Sequence, residues 1–453
     1  MSDDDVAGGA AREQEATMDC TRRAFLDVVG AGTVVPAVLA TRQAAVPGPG
    51  TWRREFPALG QLVEGRPLAY LDSAATTLRP RAVIDAVSQF YEGDNANPGA
   101  TLHTLARRAA DQHGAARARI ARFLGAASPA EVVITKGTTE AINLVASTWG
   151  TANVHRGDEI VVTAAEHYSN LLPWRALADR AGARMVIVDV DDDGRVQPAR
   201  VAAALTATTK LVAFSHVSNV LGLVNPAAAI CQVARQRGVP VLIDAAQSAP
   251  HLRLDVQALG CDFLACSGHK VLGPMGTGVL WARQATLDAM PPYHLGSNMA
   301  HEVDGASARF ERGGLKFQAG TPNVSGAIGL AAAIDVLDRF DLAAIRRHDT
   351  ELVRHFRDRT AAIPGLRVLG TLAAPDERLP VFTFTLAGVA AASIVKQLDA
   401  AGVAVRGGDM AALPLLRRFG VAEAVRASCY LYTTVDEVDR LVEALDAIAR
   451  RVA

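Results

Sequence analysis

The chain has 453 residues, half of them apolar and 21% charged, with a formal net charge of −1 at neutral pH. That length exceeds what one hydrophobic core ordinarily covers, so a large domain with a smaller companion is expected, while the balanced charge and ordinary composition set aside the disordered, nucleic-acid-binding and membrane-spanning classes. The five cysteines (Cys20, Cys231, Cys261, Cys266 and Cys429) are scattered without the spacing of a metal site or a disulfide framework and are expected to be small buried residues.

In chain order, residues 1–50 form an N-terminal extension. It is acidic and rich in small residues, then reads Thr21-Arg22-Arg23-Ala24-Phe25-Leu26 ahead of a mildly apolar run and Pro47-Gly48-Pro49-Gly50. Paired arginines followed by Phe-Leu and a short apolar stretch resemble a twin-arginine export signal, with Met18 as its start. Export would place the protein in the periplasm or outside the cell; the plainer alternative is an extension on a cytoplasmic protein. The apolar run is too short to span a bilayer, so no stable membrane insertion is expected.

After an arm at 51–70, a large domain is expected over 71–334. Within 131–283 seven short apolar runs alternate with helix-like segments, beginning at Val132, Ile160, Met185, Leu211, Val241, Phe263 and Gly278. This pattern predicts a mostly parallel seven-stranded sheet covered by helices on both faces, with ligands at the carboxyl ends of its strands. From 335 to 453 the pattern changes to helices near 343–363, 391–401 and 435–453, interleaved with strands such as 381–384. A smaller α+β domain is expected there.

Lysine is scarce, with only Lys136, Lys210, Lys270, Lys316 and Lys396 in the chain. Lys270 follows an apolar strand in Ser267-Gly268-His269-Lys270 and precedes a glycine-rich stretch, where desolvation would lower its pKa and let its amine form a Schiff base. A surface lysine after a strand is the plainer alternative. Asp244 ends the preceding apolar run, and an anion at that place would keep the pyridine ring of pyridoxal phosphate (PLP) protonated; a helix cap is the competing reading. Gln247, close behind, is placed to hydrogen-bond the ring oxygen, with plain polarity in the first turn of a helix as the alternative. Gly137-Thr138-Thr139-Glu140 follows the first strand and opens a helix, an arrangement that serves a phosphate as readily as it serves an ordinary N-cap. His167 follows another strand and is placed to lie against the cofactor ring as an acid or base; a structural histidine is the plainer alternative.

Together with Tyr70-Leu71-Asp72-Ser73-Ala74-Ala75, Leu102-His103-Thr104-Leu105, His216-Val217-Ser218-Asn219-Val220-Leu221-Gly222, Ala319-Gly320-Thr321-Pro322-Asn323 and Val405-Arg406, these segments resemble the class V aminotransferase family from about residue 55 onward, and within it the SufS/CsdA-type cysteine desulfurases. The resemblance implies PLP fold type I, the aspartate-aminotransferase-like α/β architecture, with PLP as cofactor. It implies Lys270 as the attachment lysine, Asp244 as the pyridinium partner, Gln247 as the contact to the ring oxygen and His167 as the stacking acid or base. Thr138, Thr139, Ser267 and His269 would hold the phosphate, joined by Thr321 across the interface of a homodimer. Asn219 and His103 would line the substrate side, and Arg426, with Arg406 close by, would grip the α-carboxylate of a small amino-acid substrate.

One loop departs from the pattern. Such desulfurases carry R-x-G-H-H-C-A-x-P-L, whereas this chain reads Arg406-Gly407-Gly408-Asp409-Met410-Ala411-Ala412-Leu413-Pro414-Leu415, with Ala411 at the position of the sulfur-accepting cysteine. Alanine carries no persulfide. The expected activity is therefore PLP-dependent chemistry on an α-amino acid, first a carbon–sulfur or carbon–selenium lyase reaction by β-elimination. Transamination, epimerisation, cysteine desulfuration and a non-catalytic scaffold of the same fold remain as alternatives.

Overall fold

The structure, a computed structural model, describes residues 49–99 and 102–452. The expected export signal lies outside the described residues.

Each of the seven apolar runs is a strand: β1 (Val132–Thr135), β2 (Glu159–Thr163), β3 (Arg184–Val188), β4 (Thr209–Ser215), β5 (Val241–Asp244), β6 (Phe263–Ser267) and β7 (Gly278–Ala282). They form one sheet in the order β1-β7-β6-β5-β4-β2-β3. Pairing is parallel except for β7, which runs antiparallel to both β1 and β6. Successive side chains leave a strand on opposite faces, and the core divides accordingly. Val132, Val161, Val212, Ile243 and Leu264 pack into one apolar cluster, while Val133, Ile160, Val162, Leu211, Leu242 and Phe263 pack into another. Burial on both faces explains why the central strands read as continuous apolar runs. The edge strand β3 is the exception, with Ile187 exposed.

Four further strands, β8 (Leu366–Val368), β9 (Val381–Leu386), β10 (Arg406–Gly408) and β11 (Ala424–Ser428), make an antiparallel sheet in the order β8-β9-β11-β10. The helices that matter below are α1 (Thr104–Leu124), α2 (Thr138–Val145), α3 (Val324–Arg339), α4 (Leu342–Thr360), α5 (Ala391–Ala400) and α6 (Val435–Ala449). The last three are those expected after residue 335. They cover the second sheet, where Phe356 of α4 stacks on Phe382 of β9 with centroids 3.9 Å apart. Helix α3 runs across the expected domain boundary at 334/335.

The chain's early segment is stitched to this second sheet. Ala69–Tyr70 pairs in parallel with Val403–Ala404, and the backbone N–H groups of Ser73 and Ala74 donate to the carbonyl and hydroxyl oxygens of Ser428, at 3.1 and 2.9 Å. Asp72 is thereby delivered to the end of β11.

Candidate active site

Because β2, β4, β5 and β6 are mutually parallel, and β1 reaches the same direction through two antiparallel pairings with β7, their carboxyl ends share one edge. The segments leaving that edge carry most of the expected residues. Thr138, Thr139, His167, Asn219, Asp244, Gln247, Ser267, His269 and Lys270 line one pocket of about 470 Å³, and Arg406 and Arg426 reach it from the second sheet.

Lys270 ends a single turn, Gly268–Lys270, immediately after β6. Burial pushes its amine down to about 8; Arg426 and Arg406 add to the shift, while Asp244 opposes it. Asp244 is 6% exposed, and burial raises its carboxyl above the usual range. One oxygen, Oδ1, accepts the Ala246 N–H at 2.8 Å, and no ion pair joins the carboxylate to Lys270. An amine close to neutrality and a separate buried carboxylate are what a carbonyl-bearing, protonatable ring requires at its two ends.

The third requirement is an anion cradle. Gly137 has φ +156°, in the region that favours glycine, and a Cβ there would lie 3.2 Å from Ser267 Oγ. The turn opens α2, whose first N–H groups are free of intrahelical partners. Thr138 N–H donates to Ser267 Oγ at 2.8 Å, the two hydroxyls of this pair lie 2.7 Å apart, and Thr139 Oγ1 lies 2.7 Å from Ser169 Oγ. These donors can turn together onto a phosphate. Thus the residues present fit PLP: the α2 turn would hold its phosphate, Asp244 would serve its ring nitrogen and Lys270 its aldehyde.

His167 is held by the Ser169 N–H, which donates to Nδ1 at 3.1 Å, so the neutral ring carries its proton on Nε2. Burial, then the charges of Lys270 and Arg426, push it down to about 4. It is neutral across the working range. His269 is likewise lowered to about 4, chiefly by burial. Gln247 Nε2 donates to the Ala74 carbonyl at 2.7 Å, which fixes its amide at the pocket wall.

Arg406 and Arg426 sit directly opposite each other on β10 and β11. Like charges in that register repel, and Asp72 resolves the conflict. Its carboxylate accepts from Arg406 Nη2 at 2.9 Å and from Arg426 Nη2 at 3.2 Å. Arg426 also donates to the Asn219 carbonyl at 3.0 Å, and its buried Nε has no partner among the described residues. The sequence alone assigns Asp72 no role, since nothing local reveals a partner 334 residues away.

Two expected residues lie elsewhere in the single chain. His103 caps α1, its Nδ1 accepting from Ala106 N–H at 3.3 Å, and does not line the pocket. Thr321 accepts from Asn97 Nδ2 at 3.1 Å and lines a separate cleft with Lys136, Tyr293 and Asn323. The N-cap bond holds His103 outside the pocket of its own chain. The loop after β10 does line the pocket, through Asp409, Met410 and Ala411, and no cysteine among the described residues does so. Cys231, Cys261, Cys266 and Cys429 are buried, and burial raises the Cys266 thiol to about 12.

A seven-stranded, mostly parallel sheet with this lysine, carboxylate and anion cradle at its carboxyl edge defines a PLP-dependent enzyme of fold type I. The chain belongs to the class V aminotransferase family, whose model matches residues 69–441. It is 44% identical over 396 residues to a cysteine desulfurase of Synechococcus elongatus, a match covering 87% of this chain and 63% of that protein's length. Among solved structures it resembles the Escherichia coli cysteine desulfurase CsdA in an S-sulfonic acid form, with a TM-score of 0.82, 36% identity and coverage of 90% of this chain and 99% of that one. The apo cysteine desulfurase of Thermococcus onnurineus superposes with a TM-score of 0.84 at 32% identity, covering 90% and 100% of the two chains.

Proposed function

We propose that this enzyme eliminates a sulfur- or selenium-bearing group from the β-carbon of an α-amino acid, without passing sulfur to a pocket cysteine. The observation that carries this reading is the pocket lining itself: the lysine, carboxylate and arginines are present, no cysteine among the described residues joins them, and Ala411 lines the wall in the loop that resembles the thiol-bearing one of desulfurases. Bound PLP supplies the electron sink that makes the substrate's Cα–H acidic. Thr138, Thr139, Ser267 and His269 would hold its phosphate, Asp244 its ring nitrogen, Gln247 its ring oxygen, and His167 its ring face.

The α-carboxylate docks on Arg426 and Arg406, and Asn219 backs Arg426 through its carbonyl. That grip turns the Cα–H toward Lys270 Nζ, which takes the proton. The Lys270 ammonium so formed can then pass that proton to the departing group, toward which neutral His167 offers its Nε2–H as a hydrogen-bond donor. A selenide, or the sulfenate derived from a sulfoxide, leaves with its bonding pair and without nucleophilic help. With uptake of one water, the three-carbon remainder becomes pyruvate and ammonium.

Cysteine desulfuration is the second reading, favoured by the names of the relatives; transamination and epimerisation use the same proton removal. One experiment separates them. The PLP-loaded enzyme is offered cysteine, cysteine sulfinate, selenocysteine and S-methylcysteine sulfoxide, with pyruvate, alanine, sulfide and keto acids measured. Pyruvate with the original cofactor absorbance restored supports elimination. Alanine with persulfide from cysteine overturns it in favour of desulfuration, and cofactor bleached to its amine form with keto acid released overturns it in favour of transamination.

We also propose a homodimer in which each pocket is completed by its neighbour. Support comes from Thr321 and His103, both exposed on the single chain and outside its pocket. Sedimentation at micromolar concentration gives twice the chain mass if this is right.

A further inference from the structure

The charges that one chain places in its pocket can be counted. Lys270 and Asp244 serve the cofactor, and His167 and His269 are neutral. At the carboxylate end, two arginines share the single carboxylate of Asp72, which leaves one unit of positive charge for one substrate carboxylate. Apart from Asp244, the one acidic side chain lining the pocket among the described residues is Asp409.

Asp409 is fixed there. Tyr168 Oη donates to its Oδ2 at 2.6 Å, and the Ala411 N–H donates to its Oδ1 at 2.9 Å. The loop around it is pinned again by the Tyr168 N–H on the Ala411 carbonyl, at 2.7 Å, and by Asn219 Nδ2 on the Met410 carbonyl, at 2.9 Å. Met410 and Ala411 both adopt left-handed backbone, with φ of 53° and 51°, which ordinary residues hold only when their surroundings impose it. Hence this stretch is a set wall, and its charge faces the pocket at a fixed place. Among the described residues no ion pair cancels this carboxylate: Asp409 is satisfied by a phenol and an amide, both neutral, so its charge persists.

We infer that this pocket selects α-amino acids with one carboxylate and an uncharged side chain, and that Asp409, held by Tyr168, is the residue that rejects acidic side chains. The inference deepens the elimination reading and rests on it only in taking an α-amino acid as substrate. It favours neutral side chains, such as that of a sulfoxide, over a sulfinate. At an effective dielectric of about 20, like charges about 10 Å apart weaken binding roughly tenfold.

Asparagine and aspartate differ by one charge at nearly constant shape, as do S-methylcysteine sulfoxide and cysteine sulfinate at nearly constant size. Titrating the PLP-loaded enzyme with each, and reading the absorbance change of the bound cofactor, gives dissociation constants whether or not any product forms. The neutral member of each pair is expected to bind about tenfold more tightly. In Asp409→Asn the gap should close to about twofold, whereas Tyr168→Phe, which loosens the loop but keeps the charge, should retain most of it. Equal binding of the paired ligands by the unaltered enzyme overturns the inference, as does failure of both members to bind. A gap that survives Asp409→Asn, or collapses as fully in Tyr168→Phe, overturns the role of Asp409. Pyruvate release is measured separately, so failure of the elimination reading leaves this result standing.

Discussion

Lys270 shows how far a single position can be tuned by where the fold puts it. An amine with a pKa of about 8 is neutral in roughly a tenth of molecules at pH 7, compared with fewer than about one in a thousand at an ordinary 10.5. Since the neutral amine is the nucleophile, attachment of added PLP to the apoprotein should accelerate as pH rises through about 8 and level off above it. Stopped-flow absorbance checks this; a rate still climbing steeply to pH 10 would show that burial has not lowered the amine. Lys270→Ala should abolish covalent attachment and lower turnover by about a thousandfold or more. Ala411→Cys tests the loop. The two side chains share a Cβ, so the left-handed backbone at 411 gains no new strain, and a thiol would enter the pocket. The expected outcome is persulfide on the new thiol after incubation with cysteine, detected by alkylation and mass spectrometry. No gain would mean that the wall holds position 411 away from the reacting atoms. Lys270, Asp244 and the Gly137 turn were legible in the sequence because strand ends announce themselves by the apolar run before them. Asp72 and the Tyr168–Asp409 pair were not, since their meaning lies in partners from another sheet.

Beneath the pocket, Glu166 ties elements together. It is fully buried and accepts hydrogen bonds from Thr163 at the end of β2, Ser215 at the end of β4, and Asn170, which in turn accepts from Trp174. Burial raises its carboxyl to about 7, against which the three hydrogen bonds act. A raised pKa means that the folded state favours the protonated form. The stability this contributes is complete below the ordinary value of 4.5 and is lost as pH rises through about 7. Glu166→Gln cannot ionise. The denaturation midpoint of the unaltered enzyme relative to this variant should therefore fall between pH 4.5 and 7.5, and parallel pH curves would contradict the assignment. All seven strands of the main sheet were legible at this scale, because burial on both faces makes a continuous apolar run. The antiparallel direction of β7 was not, since an apolar run carries no sense of direction. Nor was β10, whose Arg406-Gly407-Gly408 has none of the composition of a strand and pairs only through its backbone at the sheet edge.

At the scale of the whole molecule, the pocket depends on two sheets joined through the segment 69–74. Arg406 and Arg426 reach the cofactor residues only because Asp72 and the backbone of Ser73 and Ala74 are fastened to β11. The same dependence extends beyond one chain if Thr321 completes a neighbour's phosphate site. That arrangement has a numerical consequence. Suppose Lys270→Ala and Thr321→Ala chains, each impaired alone, are unfolded together and refolded at equal concentration. Random pairing makes about half of the dimers mixed. In each mixed dimer one pocket receives both substitutions, while the other receives an intact Lys270 from one chain and an intact Thr321 from its partner. About a quarter of all pockets are then whole, and activity should recover to about a quarter of that of the unaltered enzyme. Recovery no greater than the average of the two separately refolded variants would place Thr321 in the service of its own chain, or of no pocket at all. Because recovery requires one chain to supply what the other lacks, it cannot arise from two substitutions that merely destabilise the same fold.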